Sequence, residues 1–215
     1  MANLNTPRGF SPVGALHSSN YSEKGRMYAI PTSDTSNSYA IGDCVMSAAS
    51  SDANGVPFVQ KWGGVATTSA LPLGIIVGIS PADAGVSLVA SNLDLTQTYI
   101  LAGTRTAVRY VYVIDDPLAV FEVQFDSTAV AVTDLHKNAA VTVSASVAHT
   151  PSTPYSTMVL TSPATTATLP IRIIGAVQRP DNAVGAYVDV LCKWNYHEYG
   201  VTNGASGTVV AYLAP

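Results

Sequence analysis

Ala119-Val120-Phe121-Glu122-Val123-Gln124-Phe125 alternates without a break. Ala119, Phe121, Val123 and Phe125 share one side of an extended chain, and Glu122 and Gln124 take the other. Successive side chains of a strand point to opposite faces, so the spacing predicts a half-buried strand with its aromatics inward. Val188, Val190, Cys192 and Trp194, opposed by Tyr187, Asp189, Leu191 and Lys193, repeat the pattern. Just upstream of the first stretch, Asp115-Asp116-Pro117 has the fixed φ of proline and a carboxylate able to bond its own backbone, which predicts a tight turn between strands. Leu73-Gly74-Ile75-Ile76-Val77-Gly78-Ile79 is apolar at nearly every position. That run predicts a strand covered on both faces, with Gly74 and Gly78 giving close packing or a bulge.

Working outward, short β-branched or aromatic runs recur between Gly, Pro, Asn and Asp. Strands are predicted near residues 26–30, 44–46, 57–60, 73–80, 86–90, 98–101, 107–114, 119–125, 140–147, 156–161, 171–177, 186–194 and 208–213. No long window carries the 3.6-residue apolar spacing of a helix. The fold class is therefore all-β: a jelly roll, β-barrel or sandwich. Residues 1–22, with Pro7, Gly9, Pro12 and Gly14, read as an extended N-terminal arm outside the core. Residues 23–215 read as a single β-rich domain, with 200–215 supplying an extra edge strand. Ser/Thr/Ala-rich stretches at 47–53, 67–70 and 161–168 read as exposed loops or flat polar strands.

Of the 215 residues, 47% are hydrophobic but only 11% are Asp, Glu, Lys or Arg, against about 25% in a typical soluble domain. The net charge of −4 and the apolar content exclude disorder driven by charge. The 10 basic residues are scattered, which speaks against direct nucleic-acid binding. Cys44 and Cys192 are too few for a disulfide framework and stand in apolar runs, so both are expected as buried free thiols. The N-terminal sequence has no apolar signal-peptide core, and no run approaches the ~18 apolar residues of a membrane helix. Synthesis in a cytoplasm without export and without a membrane partner is expected.

Chemistry-bearing patterns are scarce. His17, His136, His149 and His197 lack partners at metal-ligand spacing, so no metal site is expected. Asp115-Asp116 reads as turn formers rather than an acid–base pair. Nucleophile elbows, phosphate loops and dinucleotide fingerprints are missing, and no catalytic or cofactor-binding residue is expected. Trp194-Asn195-Tyr196-His197-Glu198-Tyr199 has two readings. Its aromatics dock a protein or a sugar, or Trp194 and Tyr196 finish a strand and pack under a loop. A weakly charged surface suits a subunit that is largely covered in an assembly. An extended arm could supply the contact by adding as a strand to a neighbour's sheet.

Several segments resemble one family of tailed-bacteriophage virion proteins, the head decoration or capsid cement proteins. They are Pro7-Arg8-Gly9-Phe10-Ser11-Pro12-Val13, residues 72–78 (PLGIIVG), Asp115-Asp116-Pro117 followed by Phe121-Glu122-Val123-Gln124, and residues 165–182 (TTATLPIRIIGAVQRPDN) with Gly185 after them. They come in the family's order and span about residues 7 to 197. The chain departs from the pattern by continuing from Asn195-x-His197 to Pro215. The resemblance implies a non-enzymatic structural subunit on the outer surface of a capsid, bound to the phage major capsid protein and to itself as a dimer or trimer. Its candidate interface residues are Leu4, Pro7, Arg8, Phe10, Trp194, Tyr196, Val209 and Tyr212. Deleting residues 1–14 is then expected to leave a folded body that no longer coats heads. The alternative is a receptor-binding, adhesin or tail-associated subunit that stacks Trp194 and Tyr196 on surface sugars.

Overall fold

A computed structural model describes residues 3–17, 25–65, 70–80, 97–143, 149–150 and 152–200. The chain is all-β, with strands β1 (Ser11–Ala15), β2 (Arg26–Ile30), β3 (Tyr39–Ala40), β4 (Cys44–Ser51), β5 (Pro57–Lys61), β6 (Gly74–Ile79) and β7 (Tyr99–Ile100). They continue as β8 (Arg109–Ile114), β9 (Ala119–Gln124), β10 (Asn138–Thr142), β11 (Val159–Ala164), β12 (Ile171–Ala176) and β13 (Asp189–Trp194). Strands β2-β5-β4-β6-β8 close into a barrel, β1-β9-β13-β12-β10-β11 form a six-stranded sheet, and β3 pairs with β7. Of the all-β architectures expected, barrel and sandwich-like packing are both present. The strands expected at 86–90 and 208–213 lie outside the described residues.

The barrel packs against the sheet, and the apolar runs show how. Val45, Ile76 and Val113 point into the barrel with Tyr28, Ile30 and Val59. Their chain neighbours Cys44, Ile75 and Ile114 point the other way, into a core shared with Phe121, Val123, Val190, Cys192 and Ile173 of the sheet. A strand lying between two cores needs apolar residues on both faces, which is why residues 73–79 show no alternation. Gly74 allows a close approach: a Cβ there would lie 2.2 Å from the carbonyl oxygen of Ile114. The register slips between Ile76 and Gly78. This bulge resets the phase by one residue, so Ile79 faces the barrel interior with Ile76.

The alternating stretches form the inner face of the sheet. Phe121 sits opposite Cys192, and Val123 opposite Val190. Cys44 and Cys192 are buried free thiols, and burial pushes both pKa values up. Asp115-Asp116-Pro117 makes the expected turn. The Asp116 carboxylate accepts the Leu118 N–H at 2.8 Å, while Asp115 accepts the Tyr28 hydroxyl at 2.7 Å and pairs with Arg26 at 3.3 Å.

The N-terminal segment departs from expectation. Residues 11–15 are not an arm beyond the core; they form β1, antiparallel to β9 in the chain's own sheet. Phe10 is buried, stacked on Trp194 at 6.1 Å and edge-on to Phe121 at 6.2 Å. A buried Phe contributes about 2–3 kcal/mol. Deleting residues 1–14 thus removes a core side chain and most of an edge strand, and would open the body it was expected to spare. Both outer strands of the sheet carry a proline, Pro12 in β1 and Pro163 in β11. Proline on an edge discourages further strand pairing.

Candidate functional site on the outer face of the six-stranded sheet

Residues that alternate away from the core build one continuous face. On β9 these are Val120, Glu122 and Gln124; on β13 Asp189, Leu191 and Lys193; on β12 Arg172. Cross-strand register sets Glu122 beside Leu191, Gln124 beside Asp189, and Val120 beside Lys193. Lys193 is also directly opposite Arg172, and Arg172 opposite Asn138.

One part of this face is covered by the chain itself. The Asn3 side chain donates to the carbonyls of Ala183 and Ala186 at 2.7 and 2.8 Å and accepts the Ala183 N–H at 2.9 Å. The Gln124 amide donates to the Leu4 carbonyl at 3.0 Å and accepts the Thr6 N–H at 3.0 Å. Arg8 and Arg179 both reach Glu122 at 2.6 Å, and Arg179 also pairs with Asp189. These carboxylates hold the Arg179 pKa above its ordinary value, Glu122 contributing most. A cavity of about 420 Å³ lies between this strap and residues 179–189, lined by Leu4, Gln124, Arg179, Asn182 and Asp189 among others. The side chains of Asn3, Gln124, Arg179, Asn182 and Asp189 are engaged with one another and with the backbone. Asn182, for example, clamps Val177 and both backbone groups of Asp189.

The strap is fixed beneath by close packing. Gly9 has a φ of +71°, and a Cβ there would lie 2.4 Å from Cβ of Ser156, so only glycine fits. Ser156 in turn donates to the buried Asp43 carboxylate at 2.6 Å. Asp43 also accepts the Ala40 N–H at 2.9 Å and pairs with Lys61 at 3.1 Å. Lys61 donates further to the Ser38 carbonyl at 3.1 Å. This grouping joins the strap, the start of β4, the end of β5 and the chain before β11.

The sequence-predicted interface residues divide accordingly. Leu4 is 77% exposed, Arg8 is exposed and Pro7 half-buried. Phe10, Trp194 and Tyr196 are buried at 1%, 3% and 7%, so they are corrected from contact residues to core. Trp194 ends β13 facing inward, and the Tyr196 hydroxyl donates to the Ala167 carbonyl at 2.7 Å. Of the two readings of residues 194–199, packing under a loop is the one realised, and of its Trp and Tyr rings only Tyr199, 49% exposed, could stack on a ligand. Val209 and Tyr212 lie outside the described residues.

His17 lies 3.7 Å from Asp116, while His149 and His197 are buried. Among the described residues no group of His, Cys, Asp and Glu is arranged to hold a metal ion. Sequence reasoning put Glu122 and Lys193 on polar strand faces but did not single out Arg172, Lys193 or Arg179. Their importance comes from which strands pair, and alternation within one strand carries no record of that. No protein-family model, curated protein or solved structure matches the chain.

Proposed function

We propose that this chain is a virion structural subunit of a tailed bacteriophage, a decoration protein that binds the outside of the major capsid protein shell and stabilises the head. The supporting observation is that the N-terminal segment of a protein with few charges carries exposed apolar side chains. Leu4, Val13 and Leu16 are 77%, 48% and 55% exposed, and Leu118 lies beside Leu16, whose N–H donates to the Leu118 carbonyl at 3.0 Å. Leu16 and Leu118 are thus exposed side by side, and adjoining exposed apolar side chains offer a partner a place to dock. The ordered motif resemblance supplies the identity of the partner. Phe10, the Asn3 bonds and β1 hold this segment against the body, so the contact costs little ordering entropy. A subunit that binds only the assembled lattice stabilises it by mass action, and more strongly when several contacts engage together. Dimers or trimers of the subunit would bridge capsomers, and the protein would be made in the host cytoplasm before joining the head.

The test is co-sedimentation of the purified protein with heads lacking it, from the phage that encodes it. Wild type should saturate the heads and raise their disruption temperature. Leu4→Asp with Leu16→Asp, both exposed and harmless to the core, should weaken binding at least tenfold. Absence of wild-type binding to heads, or recovery of the protein with tails, would overturn the reading.

A further inference from the structure

We infer that Arg172 and Lys193, side by side on the outer face of the six-stranded sheet, are an anchor for a carboxylate, and that the occupant is an acidic side chain on a partner protein. Direct cross-strand partners share a face, with Cβ atoms about 5 Å apart, and like charges placed there repel. This pair is left with that repulsion. Arg172 donates to the Asn138 side-chain oxygen at 3.3 Å and Lys193 to the Trp194 carbonyl at 3.3 Å, both neutral. Among the described residues neither is joined to a carboxylate.

The contrast with the rest of the face is what gives the pair meaning. Arg8 and Arg179, on the part covered by the strap, are matched to Glu122 and Asp189. The chain has 14 acidic residues to 10 basic ones, so acids are not in short supply. Two adjacent cations are nonetheless left unmatched on the row running Val120, Lys193, Arg172, Asn138, with Lys193 half-buried and Arg172 exposed. Burial, and then the neighbouring Arg172, pull the Lys193 pKa down. An arriving carboxylate would relieve both the repulsion and that shift. The guanidinium supplies a planar fork for two carboxylate oxygens and the ammonium a point charge beside it. In the decoration role the carboxylate would belong to the shell protein. That assignment rests on the proposed function, whereas the anchor itself does not.

The experiment has two arms. In the first, a blocked pentaglutamate peptide is titrated into the full chain and followed by NMR. Millimolar peptide should shift the signals of residues 171–173 and 192–194 and raise the Lys193 titration midpoint. A pentaglutamine peptide should do neither, and Arg172→Gln with Lys193→Gln should weaken the response at least tenfold while the thermal transition is kept. No response, a response elsewhere, or an equal response to sodium sulfate at matched charge would overturn the acidic-protein anchor. In the second arm the same double variant is sedimented with heads. Wild-type binding with at least tenfold weaker variant binding supports the shell as partner. Equal binding by both forms overturns that assignment while leaving decoration standing. A peptide response without wild-type head binding supports the anchor and sinks the decoration reading instead.

Discussion

His197 sits in a row of rings, 5.8 Å from Trp194 and 6.0 Å from Tyr199, with its Nδ1 accepting the Tyr199 N–H at 3.0 Å. Burial lowers its pKa to about 4, although the Leu73 backbone and the charges of Asp115 and Asp116 pull the other way. The folded state therefore keeps the imidazole neutral where the unfolded chain, near 6.5, takes up a proton. Stability from this group is complete above pH 6.5 and is lost as pH falls from 6.5 towards 4. At pH 4.5 the loss is about 2–3 kcal/mol relative to pH 7. Glu198 has the opposite sign: burial raises its pKa, so it regains some stability on acidification. Comparing His197→Asn with wild type separates the two. Urea denaturation at pH 7 and 4.5 should show a wild-type decrease that the variant lacks; equal decreases would show that His197 is not the titrating group.

At the scale of elements, legibility followed the strength of the side-chain pattern. Strand β9 is legible because Phe121 and Val123 alternate with Glu122 and Gln124, and the sequence pattern marks β2 over its full extent, Arg26–Ile30. Strand β6 was readable for the opposite reason, since only a strand between two cores stays apolar throughout. Strand β1 is not legible in the sequence. Ser-Pro-Val-Gly-Ala has a proline, a glycine and no alternation, and its place is fixed by Phe10 in the core and by pairing with β9 rather than by propensity. The polar run after Cys44 extends β4 to Ser51 because β5 supplies the pairing. Nor could local pattern foresee that Asp43 and Lys61, at the ends of two paired strands, would be buried together. Removing one member of a buried pair typically costs about 3–5 kcal/mol, because the other charge is left without compensation. Lys61→Met should lose about that much stability in urea titrations, and Asp43→Asn with Lys61→Met should cost less than the two single changes summed. A Lys61→Met loss below about 1 kcal/mol would show that the pair does not hold the elements together.

At the scale of the molecule, the barrel and the sheet are tied through strands that belong to both cores. Cys44, Ile75 and Ile114 face the sheet while Val45, Ile76 and Val113 face the barrel, so neither core can lose its packing without exposing the back of the other. The N-terminal segment adds a second tie, with β1 on the sheet and the Phe10 N–H donating at 3.0 Å to Gly42 just before β4. Two layers with separable cores would melt separately; layers that share their middle strands should melt together. Calorimetry should give one transition with equal calorimetric and van't Hoff enthalpies. Ile75→Ala, which opens a cavity between the layers, should lower that transition by about 2–5 kcal/mol of stability without splitting it. Two resolved transitions, in wild type or in the variant, would mean that the barrel and the sheet are independent units and that the double-faced strands do not couple them.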